Sequence, residues 1–258
     1  MQLNYKKIGE GKPLIILHGL FGQMDNWMTF AKKISISGFA VYLPDLRNHG
    51  HSPHSDVFNH KALADDVVEL IKSNKLNDVI LMGHSLGGKT AMLVALQHPE
   101  LINTLVVVDI ATKYYPVHHT EITDALQSVD FNRVRTRQDA EKILSERIND
   151  MGTRQFLLKN LYWKNDHQLD WRFNLKAIIE NIEEVGKETT ANNLFVKPAI
   201  FIRGEKSNYI TDEDESGIKK LFPLANVITA PGAGHWVHVD APQWLLEKLQ
   251  LLLCQPSR

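Results

Sequence analysis

The chain has 258 residues, 43% of them hydrophobic and 23% charged, with 29 basic and 30 acidic side chains and a net charge of −1. That is the balance of a globular protein large enough for one well-buried domain. The near-neutral charge, with no long basic run, excludes the electrostatic footprint of a nucleic-acid binder.

In chain order, residues 3–8 (LNYKKI) read as an antiparallel edge strand, and residues 14–17 (LIIL) as the first core strand. A glycine turn then leads to a helix over 27–35 and a strand at 40–43 (AVYL). A helix over 59–73 carries Leu63, Val67, Leu70 and Ile71 at helical spacing. Next come a strand at 79–82 (VILM), a helix over 86–98 ended by Pro99, and a strand at 105–108 (LVVV). Strands at 199–202 (AIFI) and 227–229 (VIT) and helices over 216–221 and 242–253 complete the pattern. Short continuous apolar runs between helical segments fit strands buried on both faces of a parallel sheet. The expected fold class is α/β. It is a mostly parallel, doubly wound sheet with its ligand site at the carboxyl ends of the strands.

One region breaks the alternation. Between 113 and 191 no strand is expected, and the helical pattern carries Tyr114, Tyr115, Phe131, Phe156, Tyr162, Trp163, Trp171 and Phe173. Residues 1–112 and 192–258 are therefore read as the core and 113–191 as an inserted helical cap. Most of the cap aromatics are expected to pack a small core of the cap's own.

Gly83-His84-Ser85-Leu86-Gly87 has the form G-x-S-x-G, directly after a strand and directly before a helix. A serine on so tight a turn needs glycines two residues to either side, because side chains there would collide. The helix that follows directs unpaired amides toward developing negative charge. Ser85 is the candidate nucleophile. The loop His18-Gly19-Leu20-Phe21-Gly22, after the first core strand, stands where this architecture takes its second oxyanion donor. The first donor is the amide of Leu86. The second is that of Leu20, with Phe21 as the alternative. His18 and His84 read as structural.

The catalytic base should follow the last strand, where Gly232-Ala233-Gly234-His235 lies. His235 is chosen over His238, which reads as part of a helix start. The acid is less usual. The commonest slot follows the penultimate strand in a G-x-x-D turn, but Gly204-Glu205-Lys206-Ser207 places a serine there. Asp212 and Asp214 lie too far along the chain, and Glu205 reads as solvent-facing. Asp109 ends the strand after the nucleophile's helix and keeps the chain order Ser85, Asp109, His235. It is the candidate partner of the His235 Nδ1–H, with Ser207 donating a second hydrogen bond nearby.

The elements HGLFGQMDNW, PDLRNHGHS, GHSLGGK, VVVDIA, RQFLLKNL, WRFN and GHWVHVDAP occur in that order. Together they resemble the YbfF-type esterases of the α/β-hydrolase superfamily, related to the abhydrolase-domain-11 proteins. The resemblance covers nearly the whole chain. It implies a serine esterase with its acid after the earlier strand, here Asp109, and a serine near the usual acid slot, here Ser207. It also implies activity of some members on thioesters such as acyl-CoA. The chain departs from the family after VVVDIA, where Thr112 stands in place of a proline.

The expected substrate is a small-molecule ester or acyl thioester. Alternatives on the same fold are a lyase, a C–C bond hydrolase, or a non-catalytic ligand-binding protein. His49, His51 and His54 lack the cysteines or clustered carboxylates of a metal site, and no phosphate-binding loop is present, so no metal and no cofactor is expected. His118 and His119 read as surface residues. The single cysteine, Cys254, cannot form an intramolecular disulfide. The apolar stretches are too short for a membrane span and no secretory signal is seen; a cytoplasmic location is the default expectation.

Overall fold

The computed structural model describes residues 1–116 and 120–253. His118, His119 and Cys254 lie outside the described residues. The first half comprises β1 (Tyr5–Ile8), β2 (Lys12–Leu17), α1 (Met28–Ser35), β3 (Phe39–Pro44), α2 (His60–Ser73), β4 (Val79–His84), α3 (Leu86–Gln97) and β5 (Ile102–Val108). The inserted segment holds α4 (Thr120–Gln127), α5 (Arg137–Ser145), α6 (Met151–Leu158), β6 (Leu161–Asn165), β7 (Gln168–Trp171), α7 (Leu175–Glu180) and α8 (Ile182–Val185). The chain then returns as β8 (Ala199–Gly204), α9 (Asp214–Leu221), β9 (Ala225–Ala230), α10 (Val237–Asp240) and α11 (Pro242–Leu253).

Seven strands form one sheet in the order β1-β3-β2-β4-β5-β8-β9, with β1 antiparallel at one edge and the others parallel. The central strands β3, β4, β5 and β8 are mainly apolar because both faces are covered, whereas the edge strand β1 (YKKI) is largely exposed. Leu14, Ile16, Ile80, Met82, Val106 and Val108 pack in one cluster with Phe30 and Ile34 of α1 and Leu245 and Leu249 of α11. The alternate residues Ile15, Leu17, Leu81, Leu105 and Val107 pack in another with Val67 and Ile71 of α2 and Met92 and Leu96 of α3. Period-two alternation thus divides one apolar run between two cores. Among the described residues no helix is long and apolar enough to cross a membrane.

The inserted segment differs from expectation in two ways. First, it contains an antiparallel hairpin, β6 with β7, pairing Tyr162 with Asp170 and Trp163 with Leu169. Its strands are short and mostly outside the core, so they lack the buried run that marks a sheet strand. The turn is instead set by Asn165, whose Oδ1 accepts from the His167 amide at 3.0 Å. Second, among the described residues the segment's buried side chains join the main core. Leu126, Trp171, Phe173 and Ile178 belong to the same buried cluster as Phe21, Leu63 and Leu86. Trp171 stacks on Phe173 at 5.4 Å between ring centres, and Phe173 meets Phe21 at 5.1 Å.

The loop after β3 is bolted to α2 by Arg47. Its Nε and Nη2 donate to Asp66 Oδ2 and Oδ1 at 2.6 and 2.8 Å, and its Nη1 donates to the Val57 carbonyl at 3.0 Å. Both side chains are buried, and removing Arg47 leaves Asp66 with the Met1 amino group, 2.5 Å from its Oδ1, as its remaining cationic partner. Arg47→Ala is expected to cost about 3 kcal/mol of stability, measured by urea unfolding; a loss under about 0.5 kcal/mol would show that the pair does not hold the loop.

Candidate active site

The carboxyl ends of β2, β4, β5, β8 and β9 converge on one cavity of about 160 Å³, whose walls include Ser85, His235, Leu20, Ile122, Phe156 and Trp236. β4 ends at His84, and Ser85 takes φ 53° and ψ −118°, a left-handed conformation that a side chain disfavours. Glycines make room for this turn. A Cβ on Gly83 would lie 2.1 Å from the Gly87 carbonyl oxygen, and one on Gly87 would lie 2.5 Å from that of Leu17. The Ser85 amide donates to Val108 O on β5 at 3.1 Å, which ties the turn to the neighbouring strand. The Ser85 hydroxyl has no hydrogen-bond partner among the described residues, although the serine shares the cavity with His235.

Asp109 follows β5 and is likewise left-handed, at φ 51°, with its amide held by Ile202 O at 2.8 Å. Its carboxylate is fully buried. Burial of a charge requires a full set of donors, and three are present. The Gly204 amide donates to Oδ1 at 2.9 Å, the Ser207 hydroxyl donates to Oδ2, and His235 Nδ1–H donates to Oδ2 at 2.8 Å. The carboxylate accepts at Nδ1, so that nitrogen carries the proton and Nε2 is left with a lone pair. Tyr209 stacks on the His235 ring at 3.9 Å, and the His235 carbonyl accepts from His84 Nε2–H at 2.9 Å. Asp109, Ser207 and His235 are thus brought together beside Ser85. The other carboxylates of this region are engaged elsewhere: Asp212 with Arg203 at 2.5 Å, Asp214 with Lys113 at 2.6 Å, and the exposed Glu205 with the Gly232 amide at 2.7 Å.

Two buried histidines hold the loop after β2. His18 Nε2 accepts from the Leu46 amide at 3.0 Å while its Nδ1–H donates to Gly19 O at 2.8 Å. Reciprocally, His49 Nε2 accepts from the Phe21 amide at 3.1 Å while its Nδ1–H donates to Arg47 O at 2.9 Å. Each histidine therefore clamps the other's loop. The Phe21 amide is occupied, whereas the amides of Leu20 and Leu86 have no partner among the described residues. Those two free amides are the ones named above as candidate oxyanion donors, whereas the alternative, Phe21, is bonded to His49. His49 is committed to backbone on both nitrogens, and His54 Nε2 meets Arg172 O at 3.1 Å.

Three contributors were not singled out from the sequence. Lys89, buried in α3, donates to Thr112 O and Lys113 O at 3.1 and 2.6 Å and so pins the segment after Asp109. Burial pushes its ammonium down to about 7. A lysine inside an otherwise apolar helix was the available signal. Tyr115 accepts from the Ala111 amide at 2.8 Å and donates to Tyr209 O at 2.5 Å, linking the same segment to the ring over His235. The third is Tyr209 itself.

The α/β-hydrolase fold family model matches residues 12–242. The chain belongs to that family. It is 38% identical over 237 residues to the sn-1-specific diacylglycerol lipase ABHD11 of Xenopus laevis, covering 89% of this chain and 76% of that protein. It is 33% identical over 243 residues to Esterase YbfF of Escherichia coli, covering 93% and 92%. Among solved structures, a marine microorganism esterase superposes with a TM-score of 0.93 at 42% identity, covering 96% of this chain and 97% of that one. The resemblance read from the motifs is borne out, and fold and relatives together make this α/β-hydrolase an enzyme of the esterase/lipase class.

Burial holds His18 down to about 4, and burial with the nearby His18 holds His49 down to about 3. In the unfolded chain both would take a proton near pH 6.5. The unfolded state therefore binds more protons below that pH, so this stability is complete above pH 6.5 and is lost as the pH falls toward 4 and 3. His49→Gln removes one titrating group. It should flatten the slope of unfolding free energy between pH 4 and 6 by up to about 1.4 kcal/mol per pH unit. An unchanged slope in urea titrations would mean that His49 is not held neutral.

Proposed function

We propose that the protein is a serine esterase that cleaves carboxylic esters, and thioesters of similar shape, through an acyl-enzyme. The observation that carries this reading is the buried Asp109 carboxylate. It is bonded at one oxygen to His235 Nδ1–H and Ser207, with Ser85 unpartnered in the same cavity as the imidazole.

Ser85 Oγ attacks the acyl carbonyl while His235 Nε2 takes its proton. Asp109 keeps the imidazole in the tautomer that can do this and stabilises the imidazolium that forms. The tetrahedral oxyanion is received by the Leu20 and Leu86 amides, where one such donor is commonly worth roughly 10²–10³ in rate. His235 then gives its proton to the leaving alcohol or thiol. Water, activated by the same imidazole, releases the acid and restores Ser85. Ser207 and Gly204 hold the buried carboxylate in its orientation. Leu20, Ile122, Phe156, Leu157 and Trp236 give the cavity an apolar wall suited to an acyl chain. The names of the relatives as esterases and a lipase support ester substrates for this chain.

The reading predicts a burst of nitrophenol from a nitrophenyl ester, equal to the enzyme concentration, that Ser85→Ala abolishes. Asp109→Asn should lower kcat by about 10⁴, whereas Ser207→Ala, which leaves the carboxylate two donors, should cost about tenfold or less. An Asp109→Asn variant near wild-type activity would refute the assignment. A panel of esters and acyl-CoAs of increasing chain length decides between oxygen and sulfur leaving groups.

A further inference from the structure

In the chemistry above, His235 becomes an imidazolium twice per turnover: when Nε2 takes the Ser85 proton, and again when it takes one from water. The surroundings of the ring decide how readily it carries that charge. Asp109 covers the Nδ1 edge at 2.8 Å. His84 lies with its ring centre 4.7 Å away. Burial, with His235 and His238 near by, holds His84 well below the usual histidine range, and burial with the neighbouring His235 pushes His238 down to about 4, so both are uncharged at working pH. The remaining neighbour is Tyr209, whose ring lies on the imidazole with centres 3.9 Å apart and planes 19° from parallel. Two uncharged aromatic rings prefer an offset or edge-on arrangement, with centres about 4.5–7 Å apart. A cation over the face of a tyrosine ring is attracted by the negative π face at this shorter distance. Burial and Asp109 push the Tyr209 phenol up to about 12, so its own ring is uncharged. The main chain of Tyr209 is tied to the same machinery. Its amide donates at 3.2 Å to Ser207 Oγ, whose hydroxyl donates to Asp109, and its carbonyl accepts from the Tyr115 hydroxyl at 2.5 Å.

We propose that Tyr209 is a positioning residue whose π face stabilises the imidazolium of His235, and so lowers the barrier to both acylation and deacylation. The inference rests on the esterase reading above. Asp109 meets the charge in the plane of the ring, through Nδ1–H, and Tyr209 meets it across the face. Between them they leave the Nε2 edge to Ser85 and to water. The neutral imidazole gains little from the tyrosine face. The attraction grows only as the proton arrives, so it acts on kcat and leaves KM alone. The part of Tyr209 that matters is then the electron density of its ring, which a phenylalanine shares, and not its hydroxyl.

The test replaces Tyr209 by phenylalanine and by phenylalanines carrying one, two or three ring fluorines, introduced by nonsense suppression, and follows hydrolysis of 4-nitrophenyl butanoate. Each fluorine draws density from the π face with little change of shape. Tyr209→Phe should keep kcat within about threefold of wild type. Down the fluorinated series log kcat should fall steadily, to about tenfold below Tyr209→Phe at three fluorines, the size of one cation–π contact, with KM unchanged. The rate of the nitrophenol burst and the steady-state rate should fall together, because the imidazolium forms in both steps. Tyr209→Leu should lose at least as much as the last member of the series. Constant kcat across the fluorinated rings overturns the proposal, even if Tyr209→Leu is impaired, because the ring would then be packing alone. A series in which KM rises while kcat holds overturns it too, as does a Tyr209→Phe variant that loses more than about tenfold, since the hydroxyl would then be the active part. A wild-type protein with neither burst nor turnover would instead count against the esterase reading itself.

Discussion

A fully buried carboxylate organises this molecule. A carboxylate buried away from water needs hydrogen-bond donors for its oxygens, and those that Asp109 collects come from the end of β8, the loop after it and the loop after β9. Those loops are close because β5, β8 and β9 are consecutive in the sheet. The same strand order places β4 on the other side of β5, so Ser85 and Asp109 sit at adjacent strand ends, both in a left-handed conformation and both held by an amide bond to the next strand. The strain is local and the neighbouring strand absorbs it. The position of the imidazole then follows from a charge that must be satisfied.

On the other side of Ser85, rigidity is supplied without charge. β2 and β3 are neighbours, and the loops that follow them exchange amide-to-imidazole bonds through His18 and His49. Burial keeps both rings neutral, as acceptors of those amides must be. The arrangement occupies the Phe21 amide and leaves that of Leu20 open, so the loop presents one donor beside the one that opens α3. Asn160 of the inserted segment also donates to Phe21 O at 2.8 Å, which fastens the insertion to the same loop. Preorganised amides of this kind stabilise a transition state without having to reorganise during the reaction.

Much of this was legible in the sequence because it rests on steric or topological necessity. Gly83 and Gly87 are readable because no Cβ fits there. Asp109 is readable because it ends a buried strand while Ser207 occupies the commoner acid slot. The core strands are readable because burial on two faces makes them continuously apolar. What escaped has a physical reason in each case. The hold of His49 on Phe21 spans 28 residues and leaves no local pattern. The β6–β7 hairpin lacks a buried run. The cap aromatics looked like a separate core because composition cannot show that Trp171 and Phe173 continue into Phe21. Lys89 was visible as an oddity in an apolar helix, but its carbonyl partners are set by the path of the chain after Asp109.

The most direct measurement is of the proton on His235. With ¹⁵N-labelled histidine, the ring nitrogens of His235 can be observed by NMR and assigned by comparison with a His235→Gln variant. The account predicts a protonated Nδ1 and an unprotonated Nε2 in the resting enzyme at neutral pH, with Asp109→Asn shifting the proton toward Nε2. A resting His235 protonated at Nε2, or a tautomer unaffected by Asp109→Asn, would contradict it.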